Sequence, residues 1–461
     1  MARPTVVSLL VLALAAAVAA SARPSPGGLS AGPVVAIVGV NVVPMDRERT
    51  LANHTVLVRD GRIAEVGPAD RVSVPEGATR IDGRGKWLIP GLAEMHAHIP
   101  PGNATVADME RMLELNLLNG IVVVRGMLGD PRHLALRERA ARGELASPLI
   151  LTSGPSFNGN SAPTPEAAVK MVADQKAAGY DLLKIHPGVP RAAFDAMGAA
   201  AGRVGLRFSG HVPLDVGLTR ALEARFETID HVDGYVEALV RSDAPLKATD
   251  SQWFGVNLVD HVDAAGIPAL VEATRRAGTW IVPTQTLFDS TVGPLAPAEM
   301  AAWPEMRWVT AAQVAQWTAW KEKFLAAGTT TEASRAKFLA LRRTLIKALH
   351  DGGVGVLLGA DAPQMWNVPG FATHRELRAM VAAGLSPYEA LATGTVNVAR
   401  FLGAGDERGT IAVGRHADLV LLGGDPLADI ANTSRIEGVM RGTRWLARAD
   451  IEARLAALAL R

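Results

Sequence analysis

The sequence contains no cysteine. That excludes disulfides, thiolate metal ligands and a lipoprotein anchor. Any metal must sit on histidine, carboxylate or a group made from another side chain. The chain also lacks a charge bias: 47 basic and 46 acidic residues leave a formal net charge of +1. Nothing in that balance points to nucleic acid or an anionic membrane surface. No nucleophile elbow and no phosphate loop stands between a strand and a helix, so acyl-serine and nucleotide chemistry lack sequence support.

What is present is 461 residues, 49% hydrophobic and 20% charged. This is an ordinary globular composition, long enough for a large domain with a smaller companion. One long apolar run, Val6 to Ala20, follows Arg3 and ends in small residues. It reads as a signal peptide over 1–22, with Ala20-Ser21-Ala22 as the cleavage site and Ala17-Val18-Ala19 as a second match. The run is short for a membrane span of ~20 residues. Residues 23–33, rich in Pro, Ser and Gly, read as a disordered leader. The expectation is a secreted or periplasmic bacterial protein, free of the membrane after cleavage. In that setting the N-x-[ST] matches at Asn53, Asn103 and Asn432 carry no meaning.

Over 34–88 the sequence reads as strands and turns, VVAIVGVNVVPMD, HTVLVRDGRIAEVGP and ATRIDGRGKWLIPG, with Asp60-Gly61 as a hairpin turn. The same texture returns over 406–461 in GTIAVGRHADLVLLGGDP and IEGVMRGTRWL. The two flanks predict a small β-sandwich built from both chain ends. Over 89–405, strand-like runs alternate with helix-like runs, which argues for a parallel sheet. Strands are expected at 91–99, 121–126, 148–154, 181–186, 206–212, 227–232, 279–287 and 354–361. Strand–helix units in that number fit an α/β, TIM-like (β/α)8 barrel. A helical insertion at about 294–350, before the last strand, holds Trp303, Trp308, Trp317 and Trp320. Packing on the barrel is its expected role; a lid or subunit contact is the other reading. LSPYEALATGTVNVARFLG reads as one helix, with Ser386 as N-cap, Pro387 in first position and Glu389 completing a capping box.

The stretch WLIPGLAEMHAHIPPG carries His96 and His98 at the end of an apolar run. Residues i and i+2 of a strand share a face. Both imidazoles therefore aim together, as two ligands of one metal would. Active residues of such barrels gather at the C-terminal ends of strands. There the fourth strand offers Lys184, the fifth His211, the sixth His231 and the eighth Asp361. One such histidine alone is more often a packed core residue; the set together is the signal. Arg125 ends the second strand, His186 shares the face of Lys184, Tyr235 follows His231, Gln285 ends the seventh strand, and His374 lies after Asp361. Each is read either as a substrate contact or as a structural hydrogen bond.

H-x-H, then Lys, His, His and Asp on strands one, four, five, six and eight, resembles the amidohydrolase superfamily. IPGLAEMHAHI resembles its first-strand motif and GADAP its eighth-strand motif. TIDHVDGY and HRELRAMVAAGLSPYEALATGTVNVARFLG resemble the imidazolonepropionase-like branch. That branch includes binuclear zinc prolidases, Xaa-Arg/Lys carboxypeptidases and ochratoxin-hydrolysing amidases. Imidazolonepropionase itself lacks the fourth-strand lysine, so the presence of Lys184 moves the resemblance towards a two-metal site.

The resemblance implies two divalent metal ions, zinc for preference. His96, His98 and Asp361 would hold the more buried ion, and His211 and His231 the other. Two cations roughly 3.5–4 Å apart need a bridging anion. By family precedent, Lys184 supplies it as a carboxylated lysine. A bridging hydroxide would then attack a carbonyl carbon, with Asp361 as general base and acid. The implied reaction is cleavage of an amide in a small-molecule substrate, a dipeptide or N-acyl amino acid. Its free carboxylate would meet Arg125. A lactone or phosphoester hydrolase on the same site, and an inactive binding protein on the same fold, are the rival readings. The sequence leaves room for a homo-oligomer.

Overall fold

VVAIVGVNV is dense in β-branched residues, which suit a pleated strand better than a helix, and it forms β1 (Val34–Val42). The structure, a computed structural model, describes residues 34–460; the expected signal peptide and leader lie outside the described residues. β1 pairs antiparallel with β2 (Leu51–Arg59), which turns into β3 (Arg62–Pro68). The turn residues Asp60 and Gly61 have φ of 51° and 73°. Paired positive φ is what a two-residue hairpin needs to match strand twist. β4 (Thr79–Asp82) and β5 (Trp87–Pro90) run parallel to successive halves of β1, across its bulges.

The chain then enters the parallel strands β6 (Leu92–Ala97), β7 (Ile121–Gly126) and β8 (Leu149–Thr152). A second parallel run follows: β9 (Leu182–Ile185), β10 (Arg207–Gly210), β11 (Thr228–Asp230) and β12 (Trp280–Val282). Bridges Ser153–Leu182 and Phe157–Ile185 join the two runs on one side. On the other side, segment 354–362 bridges Val356 to Ile281 and Ala362 to Ala97. The eighth predicted strand is therefore present as a pairing segment but not as a regular strand. Two features explain the irregularity. Gly355 and Gly359 lie so close to the neighbouring strands that an added Cβ would meet the Trp280 ring at 2.1 Å and Val282 at 2.6 Å. The Ala360 amide, moreover, donates to a buried side chain, Glu94 Oε1, at 2.9 Å.

Helices follow most strands and carry strong start signals. Thr105 caps Val106–Leu118, and Thr164 caps Pro165–Ala178. Ser386 and Glu389 form the expected capping box, but the single predicted helix is two, Pro387–Thr393 and Val396–Phe401. The break frees the Gly394 carbonyl to accept from Ala93 N at 2.9 Å. The segment expected as a Trp-rich insertion holds several helices. Its last helix, Glu332–Asp351, packs Leu345, Ile346 and Leu349 into the main barrel core. The tryptophans lie in the stretch before it. There Trp308 stacks on Phe371 at 4.5 Å and Trp320 lies 4.6 Å from Trp253.

The last strands are β13 (Leu419–Leu422), β14 (Ile436–Arg441) and β15 (Arg444–Ala447). β13 pairs with β5, so the two chain ends share one eight-stranded sheet, β15-β14-β13-β5-β1-β2-β3, with β4 beside β1. The two flanks are joined by hydrogen bonds, and the long, bulged β1 takes partners along both halves. Among the described residues, no helix is long and apolar enough to cross a membrane. The architecture is a TIM-like α/β barrel with an extra β domain.

Candidate metal centre

His96 is fully buried at the end of β6, and His98 follows it with a side chain 20% exposed. Asp361 reaches them from the eighth pairing segment. Its Oδ1 lies 2.9 Å from His98 Nε2 and 3.6 Å from His96 Nε2. The two segments are pinned by Glu94, whose Oε1 accepts from His96 N and Ala360 N, and whose Oε2 accepts from Thr373 Oγ1. Burial pushes the Glu94 carboxyl up to about 7.

Lys184 projects from β9, fully buried, with Nζ 3.3 Å from His96 Nε2 and 3.8 Å from Asp230 Oδ2. His211 follows β10 and His231 follows β11. Their rings are 4.5 Å apart, and the His231 ring is 4.5 Å from that of His96. His231 and Asp361 both have positive φ, 65° and 61°. Such strain in bulky residues persists only where surroundings enforce it, and it clusters at functional sites.

Three of the four imidazoles, those of His96, His211 and His231, have a side-chain oxygen close to the other nitrogen. Asp230 Oδ2 lies 2.9 Å from His96 Nδ1. His211 Nδ1 pairs with Asp233 Oδ2 at 3.2 Å, and His231 Nδ1 with Thr284 Oγ1 at 2.8 Å. This arrangement fixes the tautomer and turns Nε2 inward. Burial, reinforced by Lys184, holds His96 well below the ordinary histidine range. Burial likewise lowers His211 to about 3 and holds His231 well below the ordinary histidine range. All three are therefore neutral donors at pH 7. Burial lowers Lys184 to about 8, against the pull of Asp230 and Asp361. Burial alone would raise Asp361, but His96, His98 and Lys184 hold it below the carboxylate range.

The donor set fits divalent metal. His98 Nε2, His231 Nε2 and Asp361 Oδ1 are buried without a hydrogen-bond partner. One donor atom each from His96, His98 and Asp361 lies within 4.8 Å of the others. Unpartnered buried donors of this kind are costly unless something binds them, and neutral imidazole with carboxylate is a zinc-type set.

The other residues expected to contact substrate divide. His186 lies near the centre, its ring stacked on His211 at 5.1 Å. Arg125 is not a contact at the mouth. It is 1% exposed and donates to Met95 O, Thr228 Oγ1 and Asp230 Oδ1 inside the barrel. Tyr235 is buried and bonded to Thr274 Oγ1 at 2.7 Å. Gln285 accepts from Arg342 Nε and donates to Asp289. His374 sits between Asn119 O and Thr433 Oγ1, at the seam with the β domain. Tyr235, Gln285 and His374 have their polar atoms engaged by the scaffold, whereas Arg125 Nη1 is buried without a hydrogen-bond partner. Sequence reasoning missed the partners Asp230, Asp233 and Thr284, together with Phe254, whose ring lies 5.3 Å from His231 and 5.7 Å from His211. Asp230 and Asp233 flank His231 in sequence, and that adjacency is the signal that could have found them.

The amidohydrolase family model matches residues 87–446. An imidazolonepropionase of Pseudomonas aeruginosa is 26% identical over 386 residues, covering 80% of this chain and 88% of that protein. One of Chromobacterium violaceum is 26% identical over 391 residues, covering 80% and 85%. Among solved structures, bottromycin amidohydrolase superposes with a TM-score of 0.69 at 21% identity, over 92% of this chain and 90% of that one. A prolidase complexed with N-methylphosphonate-L-proline gives 0.64 at 22% identity, over 90% and 100%. At these identities the structural likeness speaks for the fold alone.

Proposed function

We propose that this chain, which belongs to the amidohydrolase family and is a hydrolase acting on C–N bonds, cleaves an amide bond in a small substrate such as a dipeptide or an N-acyl amino acid. Two divalent metal ions, zinc for preference, are the implied cofactors. The observation that carries the reading is the close approach of neutral imidazoles and one carboxylate, with the His98–Asp361 contact at 2.9 Å and the ring of His231 between those of His96 and His211.

His96, His98 and Asp361 would hold one ion, and His211 and His231 the other. Lys184 would lie between them as a carboxylated lysine, which requires the neutral amine that its burial favours. When bound, the metals supply an acidified water and polarise the scissile carbonyl. The chain supplies the proton handling. Asp361, held ionised, accepts the proton of the attacking water and returns it to the leaving nitrogen. The Phe254 ring lies 5.7 Å from that of His211 and 5.3 Å from that of His231. The burial of Arg125 removes the carboxylate handle expected of it, so a carboxypeptidase-like preference draws no support from that residue.

Metal analysis and a panel of amides, lactones, esters and phosphoesters test the reading. About two metals per chain and amide turnover support it. Preference for lactones or phosphoesters would replace it with that rival, and a metal-loaded protein without turnover would be a binding protein. The apolar leader supports export to the periplasm; Met1 retained on protein from the native host would remove that part.

A further inference from the structure

A cavity of about 400 Å³ opens beside His211, on the mouth side of β9, β10 and β11. It is of a size that holds a small ligand. Trp253, Phe254 and Leu214 form its apolar walls, and His186, Asp233 and Glu237 its ionisable ones. Among the described residues, no lysine or arginine lines it. Asp233 is committed to His211 Nδ1 and Val212 N. Glu237 is not fully committed. Its Oε1 accepts from Ser251 Oγ at 2.5 Å, while its Oε2 is buried with no hydrogen-bond partner. The residue is 9% exposed. A carboxylate oxygen left bare in such a place costs free energy unless a donor arrives. The indole Nε1 of Trp253 is also buried and unpartnered.

We propose that this cavity is a subsite for a cationic group of the substrate, an ammonium or guanidinium, held by Glu237 and faced by Trp253 and Phe254. The proposal rests on the amide-hydrolase reading and deepens it. It favours substrates carrying a free amine, such as dipeptides, over N-acylated amino acids. Two features of the cavity agree with a cation. Two aromatic residues, Trp253 and Phe254, line it, and an aromatic face attracts a desolvated cation. Burial, and then the neighbouring Asp233, push Glu237 up to about 7, and a bound cation would oppose both effects. The Trp-rich insertion has a place in this: Trp320 packs on Trp253 at 4.6 Å and so backs the wall.

The test is calorimetric binding of 2-phenylethylammonium and its neutral isostere 2-phenylethanol to the metal-loaded enzyme. The cation should bind at least about tenfold tighter, and Glu237→Gln should bring the ratio close to one. Equal affinities in the wild type overturn the subsite, whether or not any amide is hydrolysed. A ratio unchanged in Glu237→Gln overturns the role of Glu237. Should that variant not fold, the wild-type ratio decides alone. Kinetics then separate the two sources of cation. Ala-Leu against N-acetyl-Ala-Leu reads the α-ammonium, and N-acetyl-Lys-Leu against N-acetyl-norleucyl-Leu reads a basic side chain. A loss of about tenfold or more in kcat/KM on removing the charge in either pair supports the subsite, and equality in both pairs overturns it. Selective cation binding without turnover of any amide would instead overturn the hydrolase reading and leave the subsite standing.

Discussion

Asp230 Oδ2 lies 2.9 Å from His96 Nδ1, deep in the barrel. The other oxygen of Asp230 accepts from Thr228 Oγ1 at 2.7 Å and from Arg125 Nη2 at 3.4 Å. The carboxylate is thus fixed before any metal arrives, and it turns His96 Nε2 towards Asp361. Asp230→Asn keeps the shape but weakens that hold. Metal affinity, read by competition with a chromophoric chelator, should fall roughly 10–100-fold. Unchanged affinity would mean His96 is oriented by packing alone.

Thr284 makes the same kind of contact to His231 at 2.8 Å, from a left-handed φ of 49°. A β-branched residue there is strained. Thr284→Val retains the branch and removes the hydroxyl. The variant should retain one metal through dialysis but release the other, again with a loss of roughly 10–100-fold in affinity. Full retention of both metals would show the hydroxyl to be dispensable.

Lys184 is the sole lysine among the donors gathered at the centre. Lys184→Ala should lower the bound metal from about two per chain to about one, with activity falling in step. Added acetate or propionate should restore part of it by supplying the missing carboxylate. A variant with wild-type metal content and activity would end the carboxylated-lysine assignment.

The residues that gather at the centre were legible because strand parity and strand ends are local properties. His96 and His98 share a face by period alone, and His211, His231 and Asp361 each close an apolar run. Of the two readings open for Arg125, the structure shows the structural bond, and sequence could not choose it for a physical reason. Sequence gives the face of a strand residue but not its depth, and the groups that claim Arg125, Thr228 and Asp230, stand 103 and 105 residues away. Gln285 and His374 likewise make structural bonds that sequence could not choose, their partners Arg342 and Asn119 being 57 and 255 residues distant. The eighth strand was found but its irregularity was not, because Gly355 and Gly359 acquire meaning only once Trp280 and Val282 stand against them.

Replacing Arg125 tests that reading. Arg125→Met removes the guanidinium from beside Asp230 Oδ1 in a dry interior, at a cost of about 3–5 kcal/mol in urea unfolding. The ratio of rates for matched acid and amide substrates should not move, because the guanidinium reaches no substrate. A collapse of that ratio would restore Arg125 as a carboxylate handle.

His374 gives a prediction well away from the metal. Its Nε2 donates to Asn119 O at 3.0 Å, and its Nδ1 lies 3.1 Å from Thr433 Oγ1, so it ties the barrel to the β domain. Burial depresses it to about 4 from the ordinary 6.5. A depressed histidine favours the neutral form in the folded state, so its contribution is intact above about 6.5. As pH falls from there towards 4, the unfolded chain takes up the proton first, and stability is lost. Between about pH 7.5 and about pH 5, that difference amounts to about 2 kcal/mol. His374→Gln removes the titrating group while keeping a donor for Asn119. The wild type should therefore lose about 2 kcal/mol more than the variant across that interval, measured by urea unfolding at both pH values. Comparing the two proteins cancels the acid release of metal, which both share. Parallel losses would mean that His374 titrates near its ordinary value, and that the seam between barrel and β domain admits water.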